Sequence, residues 1–385
     1  MAHNELRQAF AYAPSEFGVI GRTQTEVAEF SAELVETLAK SRRVVLVSSD
    51  GPGESELPAA EPPVLGIPAA TFYSQGPAGY SVVGGEDLDP WTGLDLWGEA
   101  EIVIVEAADD HRIAKLALVD PTGSLLDEIA AGQVSGIQAL VLPSGTSPTL
   151  RSRVTEAAGG LPILDRHDVQ AAAAFVEAFL IRRACEVPLF GLVLGGGKSA
   201  RMRRDKSGID YHGLPQVRFA YELLGGLCER VFISNRAEQA ADPVFSGLQQ
   251  IHDRFIGFGP MGGILSAMHT HPAAAWVVLG CDLPFVDRPL LEELLELRDP
   301  LSLATCYDSS HDGLPEPLCA VYEPRYRRRL HQFLASGRDC PRKALINSRV
   351  KRLKLSSPEA LDNVNSPEEY GEAVSRIAEG VRSER

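Results

Sequence analysis

Residues 189–206 read L-F-G-L-V-L-G-G-G-K-S-A-R-M-R-R-D-K. Gly195, Gly196 and Gly197 lack Cβ atoms, so their backbone N–H groups can approach an anion closely and the chain can turn with positive φ. Lys198, Arg201, Arg203, Arg204 and Lys206 then place five positive charges within nine residues, in a chain of 385 residues whose net charge is -15. That local inversion of sign suggests a polyanionic ligand. A second stretch, W-V-V-L-G-C-D-L-P at 276–284, delivers the carboxylate of Asp282 at the end of an apolar run. A buried carboxylate needs a partner, and Mg²⁺ held between phosphate oxygens is a suitable one. Asn235 closes the run Val231–Asn235 and Asp253 the run Gln250–Asp253. Each feature also has a purely structural reading: a glycine turn before a solvated basic face, or polar residues that merely terminate strands.

The elements around these residues follow from apolar spacing. Leu189 to Leu194 is a near-continuous apolar run, as in a strand buried on both faces. Ile209 and Tyr211 alternate like a short strand, and Gln216 to Leu227 reads as a helix. The glycine-rich stretch Gly257–Gly263 leads into a helix from Ile264 to His269, and on local evidence alone its glycines serve tight helix packing. Such strands present ligand-binding residues at their carboxyl ends.

In the first half, Phe17 to Ile20 reads as a strand, followed by Gly21-Arg22-Thr23-Gln24-Thr25. Val27, Phe30, Leu34 and Leu38 then recur at helical spacing, and Val44 to Val47 closes a β-α-β unit. Pro52 to Asp89 is rich in glycine and proline and reads mostly as loops. Further strands are expected at Glu101–Glu106, Ile137–Leu142 and Pro162–Leu164, and a helix at Asp168–Arg183. Asp50 and Glu106 fall at strand ends, where solvated termini are the plainer reading. The fold class is therefore α/β, with two Rossmann-like three-layer domains at 1–187 and 188–385, the second opened by Pro188.

Composition narrows the function classes. With 44% hydrophobic and 23% charged residues the chain is that of a soluble globular protein. No apolar run approaches the roughly 20 residues that cross a bilayer, and no secretion signal opens the chain. Cysteines at 185, 228, 281, 306, 319 and 340 form no C-x-x-C pair, which suits reduced thiols in a cytoplasm. Strong acidity argues against a general nucleic-acid binder, so neither a membrane nor a nucleic acid is the expected partner.

The whole first string resembles L-A-G-G-x-S-x-R-M-G-x-D-K, the signature of the MobA-like nucleotidyltransferases, whose best-known members are the molybdenum cofactor guanylyltransferases. Leu194, Gly196, Gly197, Ser199, Arg201, Met202, Asp205 and Lys206 match. Gly195 stands for an alanine, and Arg203 for a glycine, a change that either deforms the loop or adds a phosphate contact. Leu314-Pro315-Glu316-Pro317-Leu318 resembles the family's substrate-side P-E-P-L turn. Asp362-Asn363-Val364-Asn365-Ser366-Pro367-Glu368-Glu369 resembles its N-V-N-T-P-E-E close, where Ser366 also suits a helix N-cap with Pro367 at the first helical position and Glu369 completing a capping box.

The resemblance spans 189–370 and implies an NTP transferase fold of the nucleotide-diphospho-sugar-transferase type. It implies transfer of GMP from GTP to the phosphate of molybdopterin, with Mg²⁺ and release of pyrophosphate. Leu194, Gly195, Gly196, Gly197, Lys206, Asn235, Asp253 and Asp282 would bind the nucleotide, with Ser234 able to take the place of Asn235. Lys206, Arg201 and Asp282 would carry catalysis, Asp282 as the metal ligand. Pro315, Glu316, Asn363 and Asn365 would face the acceptor. The glycine pair Gly196-Gly197 and the stretch Gly259-Pro260-Met261-Gly262-Gly263 follow the family's guanine pattern. A cytidylyltransferase or sugar-phosphate nucleotidyltransferase of the same fold, or a non-catalytic cofactor carrier, are the alternatives.

Residues 1–187 resemble, in layout, the P-loop adapter protein that accompanies the guanylyltransferase. A working P-loop needs G-x-x-x-x-G-K-[ST], and G-R-T-Q-T lacks the lysine. A degenerate domain is expected, serving for docking to molybdoenzymes or other cofactor-synthesis proteins, or for forming a homodimer. The competing expectation is that the Pro52–Gly85 stretch binds a ligand instead.

Overall fold

The computed structural model describes residues 16–48, 71–76, 79–84, 98–106, 113–143, 145–196, 208–364 and 366–383. The chain divides into two compact units, Ala13–Leu180 and the stretch from Ile181 to Arg385.

In the first unit, β1 (Glu16–Ile20) feeds α1 (Gln24–Leu38), whose buried face is Val27, Phe30, Ser31, Leu34 and Leu38. Thr23 caps it by accepting from the Glu26 amide at 3.3 Å. There follow β2 (Val44–Val47), β3 (Thr71–Gly76), β4 (Gly79–Gly84), β5 (Ile102–Glu106) and β6 (Ala114–Leu118). The unit continues with α2 (Ser124–Ala130), β7 (Ile137–Leu142), α3 (Pro148–Ala158) and β8 (Ile163–Asp165). Six of these strands form one parallel sheet in the order β2-β5-β1-β6-β7-β8. The helix α4 (Val169–Ala184) carries the chain across the division between units.

Within Pro52–Asp89, read mostly as loops, the described residues are two strands. β3 and β4 pair antiparallel from Thr71↔Gly84 to Gly76↔Gly79 as a two-stranded sheet. Short runs of aromatic and β-branched residues, Thr71-Phe72-Tyr73 and Tyr80-Ser81-Val82-Val83, outweigh the surrounding glycine and proline. The sequence reading also omitted β6, α2 and α3. Asp50 lies outside the described residues, whereas Glu106 is buried at the end of β5.

The second unit is built on β9 (Leu189–Leu194), α5 (Gln216–Gly225), β10 (Arg230–Asn235), β11 (Gln250–His252) and α6 (Gly259–Thr270). Next come β12 (Ala275–Gly280), α7 (Arg288–Glu296), β13 (Ala304–Asp308), β14 (Pro315–Tyr322) and α8 (Tyr326–Ala335). The chain closes with α9 (Pro341–Ile346), β15 (Lys351–Leu353) and α10 (Pro367–Ser383). The sheet order is β11-β10-β9-β12-β14-β13-β15. β11, β10, β9 and β12 run parallel, and β14 lies antiparallel to β12.

Burial on both faces explains the unbroken apolar character of β9. Phe190 and Leu192 join one core with Ile264, Leu265 and Trp276, while Val193 joins the opposite core with Val217, Ile233 and Leu290. After β9 the chain moves to β10 on one side and later returns to β12 on the other. The ends of β9 and β12 therefore flank a topological switch point, the usual place for a ligand crevice in an open α/β sheet.

Three local expectations in this unit are revised. Ile209 and Tyr211 form no strand; one bridge joins Asp210 and Pro215. The glycine stretch does not precede the helix, since α6 begins at Gly259 and contains Gly262 and Gly263. Pro315–Leu318 is the start of a strand rather than a turn. Both prolines are tolerated there because Pro315 is the first strand residue and Pro317 lies at a register shift opposite Cys306/Asp308, before pairing with β12 begins at Cys319.

Candidate active site

Strand register brings the candidate residues to one edge. Leu194 pairs with Ser234 on one side and with Gly280 on the other, and Asn235 pairs with His252. The carboxyl ends of four parallel strands thus present Leu194–Gly196, Ser234–Asn235, Asp253 and Asp282 along one line. Gly197, Arg201, Lys206 and Asn365 lie outside the described residues, as do Lys198, Arg203 and Arg204.

The first two glycines of the loop have different duties. The Gly195 amide donates to the Ser234 carbonyl at 2.9 Å and so extends the β9–β10 ladder. A Cβ there would stand 3.1 Å from Ile233 and 3.3 Å from Phe245, which makes the position a packing requirement. Gly196 approaches the neighbouring backbone, with a built Cβ 3.1 Å from the Asn235 Cα. Amides free to meet an anion therefore begin at Gly196 or later.

Asn235 and Ser234 separate cleanly. Asn235 is fully buried; its amide nitrogen donates to Gln250 at 2.7 Å and its oxygen meets His252 Nδ1 at 2.8 Å, so both ends brace β10 against β11. Ser234 instead donates to Asp253 Oδ1 at 2.7 Å. Burial pushes the Asp253 carboxyl upward, against the Ser234 hydroxyl and the nearby Arg236 and His252, which favour its charge.

The loop after Asp253 is tied to α6 by Ser266, which accepts from the Arg254 amide at 2.8 Å and donates to the Gly262 carbonyl at 2.7 Å. A Cβ on Gly262 would lie 2.2 Å from the Phe255 carbonyl, and one on Gly263 would lie 2.3 Å from Ser234 Oγ. The packing explanation of these glycines is thus directly visible.

Asp282 is half-buried at the end of β12, and two distant stretches approach it. Its carbonyl accepts from the Val364 amide at 2.9 Å, which docks residues 362–364 here and leaves Asn363 exposed beside it. Ser366 and Glu369 exchange backbone-to-side-chain hydrogen bonds at 3.1 and 3.2 Å, forming the expected capping box at the head of α10. Tyr211 is buried near Asp282 and against Tyr370; burial first, then Tyr370, Asp282 and Glu369, pushes its hydroxyl up to about 12.

The acceptor-side candidates lie on β14. Pro315 is buried and pairs with Asp308. Glu316 is only 8% exposed and binds Arg342 at 2.6 Å. Burial raises its carboxyl and Arg342 opposes that, while the charge of Asp282 adds to the rise. Arg342 escaped the sequence reading because it lies 26 residues from Glu316, in a D-C-P-R context with no recognisable motif.

A carboxylate at Asp282 is a hard oxygen donor suited to Mg²⁺. Among the described residues no group of three or more His, Cys, Asp or Glu side chains could hold a metal ion on its own. One carboxylate leaves most of a Mg²⁺ coordination shell to oxygens of water or of a bound ligand. All six cysteines are free. No helix among the described residues is long and apolar enough to cross a membrane.

Residues 191–352 match the family model described as the MobA-like NTP transferase domain. A molybdenum cofactor guanylyltransferase from Pseudomonas putida is 32% identical over 185 residues, which cover 46% of this chain and 93% of that protein. A molybdenum cofactor biosynthesis bifunctional protein from Synechocystis is 37% identical over 187 residues, covering 49% of this chain. The chain spans about half of that relative's length, 54%. The structure of Bacillus subtilis MobB aligns with 43% of this chain and 96% of its own, at 13% identity and a TM-score of 0.32. At that identity over nearly the full length of the Pseudomonas enzyme, the chain belongs to the MobA-like NTP transferases, the nucleotidyltransferase family that includes the molybdenum cofactor guanylyltransferases.

Proposed function

We propose that the second unit transfers GMP from GTP to the phosphate of molybdopterin and releases pyrophosphate. The observation that supports this reading is a shared sheet edge: Gly196, Asp253 and Asp282 follow the carboxyl ends of neighbouring parallel strands, and Val364 docks on Asp282. A phosphate oxygen of the acceptor attacks the α-phosphorus, and charge builds on the α-phosphate and the departing pyrophosphate. No covalent nucleophile is needed, so catalysis rests on positioned cations. Backbone amides from Gly196 and Gly197 cradle the triphosphate, Lys206 and Arg201 neutralise it, and Asp282 holds Mg²⁺, which when bound offsets the phosphate charge. Asp253, fixed by Ser234, faces the nucleotide, and Glu316, Pro315, Asn363 and Asn365 face the acceptor. The reaction belongs in the cytoplasm, where nucleoside triphosphates are available. The first unit serves as a docking or dimer-forming module for cofactor-synthesis proteins or molybdoenzymes.

Pyrophosphate release with GTP, molybdopterin and Mg²⁺ tests the assignment. Charge-assisted contacts to phosphate are worth roughly 1.5–3 kcal/mol each, so Lys206→Ala or Asp282→Ala should slow turnover about ten- to a hundredfold or more. Full turnover by either variant, or turnover with CTP equal to that with GTP, would contradict the proposal.

A further inference from the structure

Resting on the acceptor-side reading of β14, the geometry points to Arg342 as the positioning residue for Glu316, fixing that carboxylate for acceptor binding, with Asp312 as the anchor that holds Arg342 in place. Glu316 is buried on β14, and each of its oxygens has one donor: the Leu318 amide at 3.2 Å on Oε1 and Arg342 Nη2 at 2.6 Å on Oε2. The second terminal nitrogen of the same guanidinium reaches Asp312 Oδ2 at 3.1 Å, on the loop between β13 and β14. A planar guanidinium held at both ends has one orientation, a property lysine's single ammonium cannot copy. Arg342 comes from the first turn of α9 rather than from the β13–β14 hairpin, so the arrangement ties a separate helix to the start of β14.

The chemistry fits a polar heterocycle. A carboxylate presented at a fixed angle accepts hydrogen bonds from adjacent N–H or N–H/O–H donors, and a site built for such donors loses affinity steeply when its acceptor turns away. The 309–314 loop has a second fastening: His311 Nε2 meets Asp362 Oδ1 at 3.0 Å, one residue before Asn363. Arg342 and His311 thus tie the loop between β13 and β14 to α9 and to the stretch that carries Asn363.

The test uses the full chain, with calorimetric binding of molybdopterin in the absence of GTP and steady-state pyrophosphate release in its presence. Arg342→Ala should raise the acceptor Kd and KM by about tenfold or more, the scale of a lost charge-assisted hydrogen bond, and leave the KM for GTP within about twofold. Arg342→Lys should recover only part of the loss, and Asp312→Asn should show a smaller change of the same kind. Because Arg342 acts through Glu316, Arg342→Ala added to Glu316→Gln should cost little more than Glu316→Gln alone. Additive losses, or equal rises in the KM values of GTP and acceptor, would overturn the positioning role while leaving guanylyl transfer intact. A wild-type chain that neither binds molybdopterin nor releases pyrophosphate would instead overturn the guanylyl-transfer reading together with this one.

Discussion

Replacing Gly262 by alanine isolates what the second glycine stretch does. In an open helix the change stabilises by about 1 kcal/mol, because alanine restricts the unfolded chain and suits the helix. At Gly262 the new Cβ would lie 2.2 Å from the Phe255 carbonyl oxygen, a backbone atom that cannot rotate away. An ordinary contact needs more than an ångström of further separation, so either α6 or the 254–258 loop must move. Overpacking of this kind costs roughly 1–3 kcal/mol, enough to cancel the helical gain and exceed it. The Ser266 bridge from Arg254 to Gly262 opposes the movement, since it fastens the same two segments. Gly371 is the control, a helical glycine in α10 with nothing within 4 Å of a built Cβ. Gly371→Ala should gain about 0.5–1 kcal/mol. Thermal unfolding monitors both, with each kcal/mol worth about 2–4 °C for a unit of this size. A Gly262→Ala protein that melts at or above Gly371→Ala would refute the steric argument and return the stretch to a purely ligand-related explanation.

Asp120 offers a pH test in the first unit. Burial pushes its carboxyl upward, but donors from the Leu125 amide at 2.9 Å, the Thr122 hydroxyl and amide, and the Ser124 amide and hydroxyl outweigh it and hold the group well below the usual carboxylate range. A depressed folded pKa adds stability that is present above the unfolded value of about 4 and lost as pH falls below it. Asp120→Asn should therefore cost about 2 kcal/mol or more at pH 7, with the gap to wild type narrowing in denaturant titrations below pH 4; a gap independent of pH would exclude the charge as its source. For nucleotide binding, calorimetry of the full chain with ATP should show no micromolar site in the first unit, and micromolar binding that survives Lys206→Ala would reverse that view.

The strands at the switch point were legible because burial on both faces writes itself into sequence as unbroken apolar runs, and the carboxyl-end positions of Asp253 and Asp282 followed from where those runs stop. The capping box at Ser366 and Glu369 was legible for a similar reason, being local chemistry within four residues. What escaped depends on partners distant in sequence. Pro315–Leu318 looks like a turn until a register shift on β13 and the late start of β12 pairing excuse both prolines. The packing role of Gly262 and Gly263 was expected, but that α6 already begins at Gly259, and that Phe255 and Ser234 are what crowd them, was not. Asn235 looked like a ligand contact by position, yet Gln250 and His252 engage both ends of its amide across the β10–β11 pair. Arg342 has no sequence signal at all, because a salt bridge between a helix start and a strand start leaves no spacing rule behind.

Each unit opens on parallel strands, and the turn after the first strand differs in its chemistry between the two. After β9 the chain offers glycine and then an excess of cations with no balancing acid until Asp205. After β1 it offers Gly21 and one cation, Arg22, which already binds Ser124 Oγ at 2.9 Å and Glu128 at 2.7 Å. Gly21 is itself constrained by packing, with a built Cβ 3.0 Å from Val27. The Arg22 pair is partly exposed and contributes little stability by itself. Its importance is electrostatic: Glu128 neutralises the charge that an incoming phosphate would require, and Ser124 fixes the guanidinium toward α2. A lysine introduced at this turn would still face Glu128, so phosphate affinity there would demand changes on two elements at once. The β-α-β framework of the first unit thus comes with a turn whose cation is already engaged by α2.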